Sequence, residues 1–179
     1  MSKSLGNVIL AKHFAKKHGI NTFRYLVLNS HYNQVINLNE ELIQQAVDYT
    51  QKVKNLLKKL NFYLYTEQII ITKQETSAQG EIISSLLNNL NTVKVLFFFE
   101  QIINSLNKII DRREKDSEKL AKIVSDFYFI LDILGFKFDL VPYNLAVKLL
   151  IQKWQKLRKK GDYQPADAIR KQLQELDIY

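Results

Sequence analysis

The sequence predicts an all-α fold, a helical bundle, and three observations carry that expectation. Apolar residues recur in alternating steps of three and four over long stretches, the period of a helix face and not of a strand. Glycine and proline are scarce, 5 and 2 in 179 residues, too few for an all-β fold built on many tight turns. Hydrophobic residues make up 46% and charged ones 25%, which is enough apolar material for a packed core and argues against wholesale disorder.

The elements follow in order. Residues 1–7 are small and polar and contain the turn dipeptide Gly6-Asn7, so they read as a loop. A short helix is expected from about Val8 to His18, with Ile9 and Phe14 on its apolar side and Gly19 at its C-terminal cap. Asn21 offers an N-cap for a second short helix through Phe23, Leu26 and Val27, ending near Ser30 or His31, and Asn33 to Leu38 is a connector. Asn39 then caps a long helix, with Glu40 and Glu41 suited to the positive end of its dipole. Its seam is Leu42, Ala46, Tyr49, Val53, Leu56, Leu60 and Leu64. Residues 66–80 break the pattern. Ile69-Ile70-Ile71 suits a short strand or a hydrophobic plug, but the Thr, Gln, Ser and Gly80 around it favour a mobile linker.

A second block starts near Glu81, and Asn91 or Thr92 caps a helix running to about Ile110. Leu96, Phe99, Ile103, Leu106 and Ile110 form its seam, and Phe97-Phe98-Phe99 is assigned to the core. Asp111 to Asp116 reads as a solvated corner. A third long helix carries Leu120, Ile123, Phe127, Ile130, Leu131 and Leu134 and stops at Gly135; Phe136 to Tyr143, with Pro142, is an extended connector. Val147, Leu150, Trp154 and Leu157 mark a fourth helix stopped by Gly161, with Trp154 read as core and not as a stacking platform. Asp162 is the candidate cap of a final helix with Pro165 in its first turn and Ala166, Ile169, Leu173 and Leu176 inward. The expected division is a loop and short-helix region, 1–38, followed by a helical bundle, 39–179.

Composition narrows the chemistry. The chain has no cysteine, which excludes disulfides, thiol catalysis and thiolate metal sites, and its 3 histidines leave little room for a metal centre. Lys plus Arg number 26 against 18 Asp plus Glu, a formal net charge of +8, which favours a polyanionic partner or serves solubility. No run nears the ~18 consecutive apolar residues of a membrane span, and the polar start lacks a signal-peptide core, so a soluble cytoplasmic protein is the expectation.

Two groups of residues suggest binding. Ser2, Lys3 and Ser4 beside Gly6 make a candidate phosphate grip: the ammonium supplies a point charge, the hydroxyls donate, and glycine lets the backbone turn. Lys148, Lys153, Lys156, Lys159 and Lys160 lie off the Val147/Trp154 stripe, with Arg158, Arg170 and Lys171 nearby. Spacings of three and four place several of them on one face, suited to nucleic-acid phosphates or simply to solvent.

The residues also carry a family resemblance. Met1-Ser2-Lys3-Ser4-Leu5-Gly6-Asn7 resembles the Lys-Met-Ser-Lys-Ser signature loop of class I aminoacyl-tRNA synthetases with the Leu-Gly-Asn that often follows. Phe23-Arg24-Tyr25-Leu26, Ser30-His31-Tyr32 and Ile36-Asn37-Leu38 are similar to the segment after that loop in cysteinyl-tRNA synthetases. Leu90-Asn91-Thr92 resembles that family's Phe-Asn-Thr. Gly161-Asp162-Tyr163, Ala166-Asp167, Ile169-Arg170 and Asp177-Ile178 resemble its Lys-Asp-Phe, Ala-Asp, Ile-Arg and Gly-Ile block.

There are departures. The loop's first lysine has no counterpart, Asn33 replaces the usual arginine after the His-Tyr pair, and Leu87-Asn88-Asn89 replaces an acidic run. The family's His-Ile-Gly-His motif and its zinc pocket, with cysteine ligands, are also without counterparts.

The resemblance implies the C-terminal portion of a cysteine–tRNA ligase, starting within the signature loop: short stem-contact helices and a DALR-like anticodon-binding bundle. It implies ATP as a substrate, with magnesium in the complete enzyme and zinc expected only in the catalytic half. By this resemblance Lys3 would contact ATP phosphates and stabilise charge at the α-phosphate, with Ser2 and Ser4 ordering the loop or touching phosphate. His31 would support the loop or contact the acceptor stem, although a packed, hydrogen-bonded corner is the plainer reading. Lys153, Lys156, Lys159, Lys160 and Arg170 are the candidate tRNA contacts, and no residue is assigned to a metal. The expected partners are tRNA, ATP and a separate catalytic half, without which the chain alone is expected to be inactive. A non-catalytic tRNA-binding module or an inactive remnant is the alternative, and a related ligase joining cysteine to an amino sugar fits the last block less well.

Overall fold

The computed structural model describes residues 10–114 and 116–179. Among them are eight helices and no strand, which is the all-α bundle that the periodicity predicts: α1 (Ala11–His18), α2 (Ile20–Leu28), α3 (Glu40–Thr66), α4 (Ser77–Leu87), α5 (Thr92–Arg112), α6 (Ser117–Ile133), α7 (Leu145–Lys160) and α8 (Tyr163–Glu175). Residues 1–9, which include the candidate phosphate grip Ser2, Lys3 and Ser4 as well as Val8 and Ile9, lie outside the described residues.

Helix α3 is the spine. At 27 residues it is about 40 Å long, and it touches three separate clusters of buried side chains. At its start Ala46 packs with Phe14 of α1 and Leu26 of α2. Along its middle Val53, Leu56 and Leu60 join Ile82 of α4, Phe99, Ile103 and Leu106 of α5, and Phe127 and Ile130 of α6. Phe99 stacks on Phe127 at 5.3 Å between centroids and lies 6.4 Å from Phe136, so the connector after α6 closes one end of this core. Near its end Phe62 turns the other way, into a third cluster with Val147, Ile151 and Trp154 of α7 and Ala166, Ile169 and Leu173 of α8.

Several expectations need correction. Asn21 does not cap α2: the helix begins at Ile20, after Gly19, two residues earlier than a cap at Asn21 would set it, and the Asn21 side chain instead donates to the Lys137 carbonyl at 2.6 Å and accepts from the Lys137 N–H at 3.2 Å. Residues 66–80 are not a mobile linker. Ile69 and Ile71 plug the main core while Ile70 faces solvent, and α4 begins at Ser77 with Thr76 as its cap. Buried Asp126 pins this segment by accepting from the Thr76 hydroxyl and, at 3.1 Å, from Gln79 Nε2. Phe97-Phe98-Phe99 is not all core: Phe99 is buried, Phe98 is partly buried, and Phe97 is 61% exposed. Leu176, assigned inward, is exposed.

Candidate nucleic-acid interface

The α7–α8 hairpin carries most of the predicted contacts. Asn144 caps α7 by accepting from the Val147 N–H at 3.0 Å, and Gly161, with φ 76° and ψ 12°, ends it in the left-handed conformation that glycine adopts without strain. The rotation of α7 is set by Val147, Ile151 and Trp154, which are buried against α8 and Phe62. At 100° per residue this divides the basic side chains. Lys153, Lys156 and Lys160 fall within an arc of about 60° on the outer side, all exposed. Lys159 does not join them. It turns with Arg158 toward a cleft between α7 and the α3/α5 ends, so the single basic face expected from spacing is two surfaces.

That cleft has a volume of about 650 Å³ and is lined by Lys59, Tyr63, Arg113, Trp154, Arg158 and Lys159, among others. The Arg158 guanidinium lies 5.0 Å over the Trp154 ring, and Arg170 lies 5.2 Å over the Tyr179 ring. Trp154 is core, as expected, yet its edge reaches the cleft wall. Lys59 is paired with Asp111 at 2.7 Å, which leaves the arginines and Lys159 as the wall's other cations. Sequence reasoning missed Arg113, placed in a solvated corner. It sits in the left-handed region at φ 51° as the C-cap of α5, and Tyr63 fixes the turn beyond it by donating its hydroxyl to the Glu114 carbonyl at 2.7 Å. Only the Arg112-Arg113 pair just past a helix seam could have signalled it.

The hairpin is locked to α3 on the other side by Asp177, which accepts from Lys58 and, at 3.2 Å, pairs with Lys54. Those two ammonium groups hold its carboxyl below the usual carboxylate range. Gln155 Nε2 donates to the Thr66 carbonyl at 2.9 Å and completes the seam.

His31 lies far along the chain from this surface. Its Nδ1 bonds Asn33 Oδ1 at 2.6 Å, Asn89 Nδ2 meets its Nε2 at 3.4 Å, and the Tyr32 hydroxyl donates to Asn89 Oδ1 at 2.7 Å. One neutral tautomer, with the proton on Nδ1, satisfies every one of these contacts. His31 is therefore a bonded corner joining the end of α2 to the α4–α5 turn. Asn33, where the family pattern has arginine, is part of it. Ser2, Lys3 and Ser4 lie outside the described residues. Among the described residues no three His, Asp or Glu side chains gather as a metal ion would need, and no helix is long and apolar enough to cross a membrane.

Comparison with known proteins gives a consistent answer. Residues 1–48 match the family model described as the tRNA synthetases class I (C) catalytic domain. Over 99% of its length the chain is 36% identical to a cysteine–tRNA ligase of Mycoplasma mycoides subsp. mycoides and 38% identical to that of Mycoplasma capricolum subsp. capricolum, covering 40% of each. Over 97% of its length it is 32% identical to the ligase of Mesoplasma florum, covering 39%. The chain thus spans about two fifths of the curated relatives it matches. Similarity of this extent makes the chain a relative of the cysteine–tRNA ligases, consistent with a C-terminal portion of such an enzyme.

Proposed function

We propose that the chain supplies the tRNA-binding part of a cysteine–tRNA ligase, with the bundle at 39–179 gripping tRNA and the 1–38 region bringing the signature loop to ATP. The observation that carries the reading is the segregated lysine strip of α7. Lys153, Lys156 and Lys160 stand in one exposed row on a helix whose opposite side is buried, on a chain related almost end to end to these ligases. A row of cations at helical spacing neutralises successive phosphates, and counterion release makes such binding fall with salt. Lys159 on the cleft wall, Arg170 over Tyr179 and His31 at its bonded corner are the further candidate tRNA contacts of this reading. In this reading Lys3 stabilises charge that develops on the α-phosphate of ATP while Ser2 and Ser4 order the loop. Magnesium accompanies ATP in the complete enzyme. Zinc in this reading is held by cysteine ligands elsewhere in the enzyme, since this sequence has no cysteine. On its own the chain binds tRNA without charging it, and its place is the cytoplasm.

The test is retention of tRNA in an electrophoretic shift at two salt concentrations, with the wild-type chain and the K153E/K156E/K160E variant. The wild type should retain tRNA at low salt and release it as salt rises. The variant should bind about tenfold or more weakly, with a shallower dependence on log salt because three phosphate contacts are gone. Equal retention by the two proteins removes the strip from the interface, and no retention of the wild type at low salt leaves the inactive-remnant reading standing.

A further inference from the structure

The connector after α6 is an extended segment with a free edge, and we propose that this edge pairs with the same segment of a second copy of the chain, antiparallel and with Phe138 facing Phe138. Burial alternates along it. Phe136 is buried, Phe138 and Leu140 are half-buried against the main core, and Lys137, Asp139 and Val141 are exposed. That is the pleat of a strand with one face on a core. Asn21 shows the same conformation in another way. Its side-chain amide grips both the N–H and the C=O of Lys137, which therefore lie on one side of the chain, as they do in a strand.

Main-chain groups of successive residues in such a segment point to opposite edges. Those of Lys137 are taken up by α2, so Phe138 and Leu140 form the other edge. Among the described residues no hydrogen bond reaches a main-chain group from Phe138 to Val141. An unpaired edge is a template for another strand. The outward side chains name that strand. Lys137 and Asp139 have no ion-pair partner among the described residues. An antiparallel neighbour that suits them offers an acid opposite Lys137 and a base opposite Asp139. The segment itself, read backwards, offers both. With Phe138 facing Phe138, the two phenylalanines exchange their main-chain bonds and the Leu140 N–H reaches the Phe136 carbonyl of the second copy. Lys137 then meets Asp139 on either side of a two-fold axis. A register centred on Asp139 would instead set two carboxylates face to face. Pro142 has no N–H and ends the ladder. Exposed Tyr128 and a cavity of about 250 Å³, lined by Leu57, Tyr128, Leu131 and Phe138 among others, add apolar surface for the second copy to cover.

Sedimentation velocity of the purified chain, from micromolar to millimolar concentration, tests the pairing together with the K137D and D139K variants. The wild type should shift toward a dimer as concentration rises. Each charge reversal sets like charges opposite one another at both pairs and should weaken association about tenfold or more. An equimolar mixture of the two variants should regain it, because an acid again faces a base at each pair. Both side chains are exposed, so helical circular dichroism of the variants should match the wild type. A second readout fixes the register. The sequence has no cysteine, so K137C and D139C mixed under mild oxidation form only the links these positions allow. Links of 137 to 139 should exceed those of 137 to 137 or 139 to 139. A mixture that does not regain association, or links without that preference, overturns the inference. A wild type that stays monomeric throughout leaves the edge to a strand of another protein and overturns it as well.

Discussion

Asp177 shows how much one side chain of this sequence does that spacing cannot announce. It lies 119 residues from Lys58, and its role appears only when α8 returns to the spine. Its carboxyl is held below its ordinary range by hydrogen bonds from Lys58 and Lys54. A carboxylate with a lowered folded value contributes stability above its unfolded range and loses it as pH falls through the folded value. The side chain is 48% exposed, so solvent screening limits the contribution to under about 1 kcal/mol. Asp177→Asn should therefore lower the thermal midpoint slightly at pH 7. The gap between wild type and variant should shrink as pH drops below about 4 and close once both carry a neutral side chain. A gap that persists unchanged at pH 2 would assign the effect to packing instead.

At the scale of elements, the caps separate what sequence could state from what it could not. Asn39 and Asn91 sit where a cap was expected and accept from Leu42 and Lys94 N–H groups. Asn21 and Asp162 were equally suitable by residue type, but Asn21 lies inside α2, and Asp162 takes the N-cap position of α8 without a side-chain bond to it. Asn21 is recruited by Lys137, and the backbone N–H of Asp162 closes the end of α7 on the Leu157 carbonyl, leaving Asp162 at φ −87° and ψ 82° with no side-chain bond to its own helix. Residue type sets a preference, and the neighbouring element decides whether it is used. Asn144→Ala should thus cost about 1 kcal/mol by removing the bond to Val147, whereas Asp162→Ala should change stability by only a few tenths. Denaturant unfolding of both variants measures this, and equal losses would mean that Asp162 is bonded in solution. The same logic explains the basic helix. Lysine spacing was legible, but the angle at which α7 presents Lys153, Lys156 and Lys160 outward and Lys159 to the cleft depends on packing against α8 and Phe62.

For the molecule as a whole, the sequence discloses the helices and their inner faces because burial on one side leaves a period, and Leu60, Phe99 and Phe127 were all placed correctly in this way. It does not disclose that the core is divided, since period says which side is buried and not which partner buries it. Phe62 is the clearest instance: it lies on the same helix as Leu60 but belongs to the hairpin's cluster, edge-on to Trp154 at 5.4 Å and to Tyr179 at 4.8 Å. Besides this ring the seam holds chiefly polar links, those of Gln155 and Asp177, and one edge contact between Tyr65 and Tyr143. Phe62→Ala should remove about 3–5 kcal/mol from the hairpin's attachment, the usual cost of emptying an aromatic site. Because the main core does not include Phe62, amides in α5 and α6 should keep their hydrogen-exchange protection while those in α7 and α8 lose theirs. Trp154 is the sole tryptophan, so its emission should shift to the red at a lower denaturant concentration than the loss of helical circular dichroism. If instead all protection falls together and both signals report one transition, the two clusters fold as a single cooperative unit, and the hairpin cannot detach or move on its own.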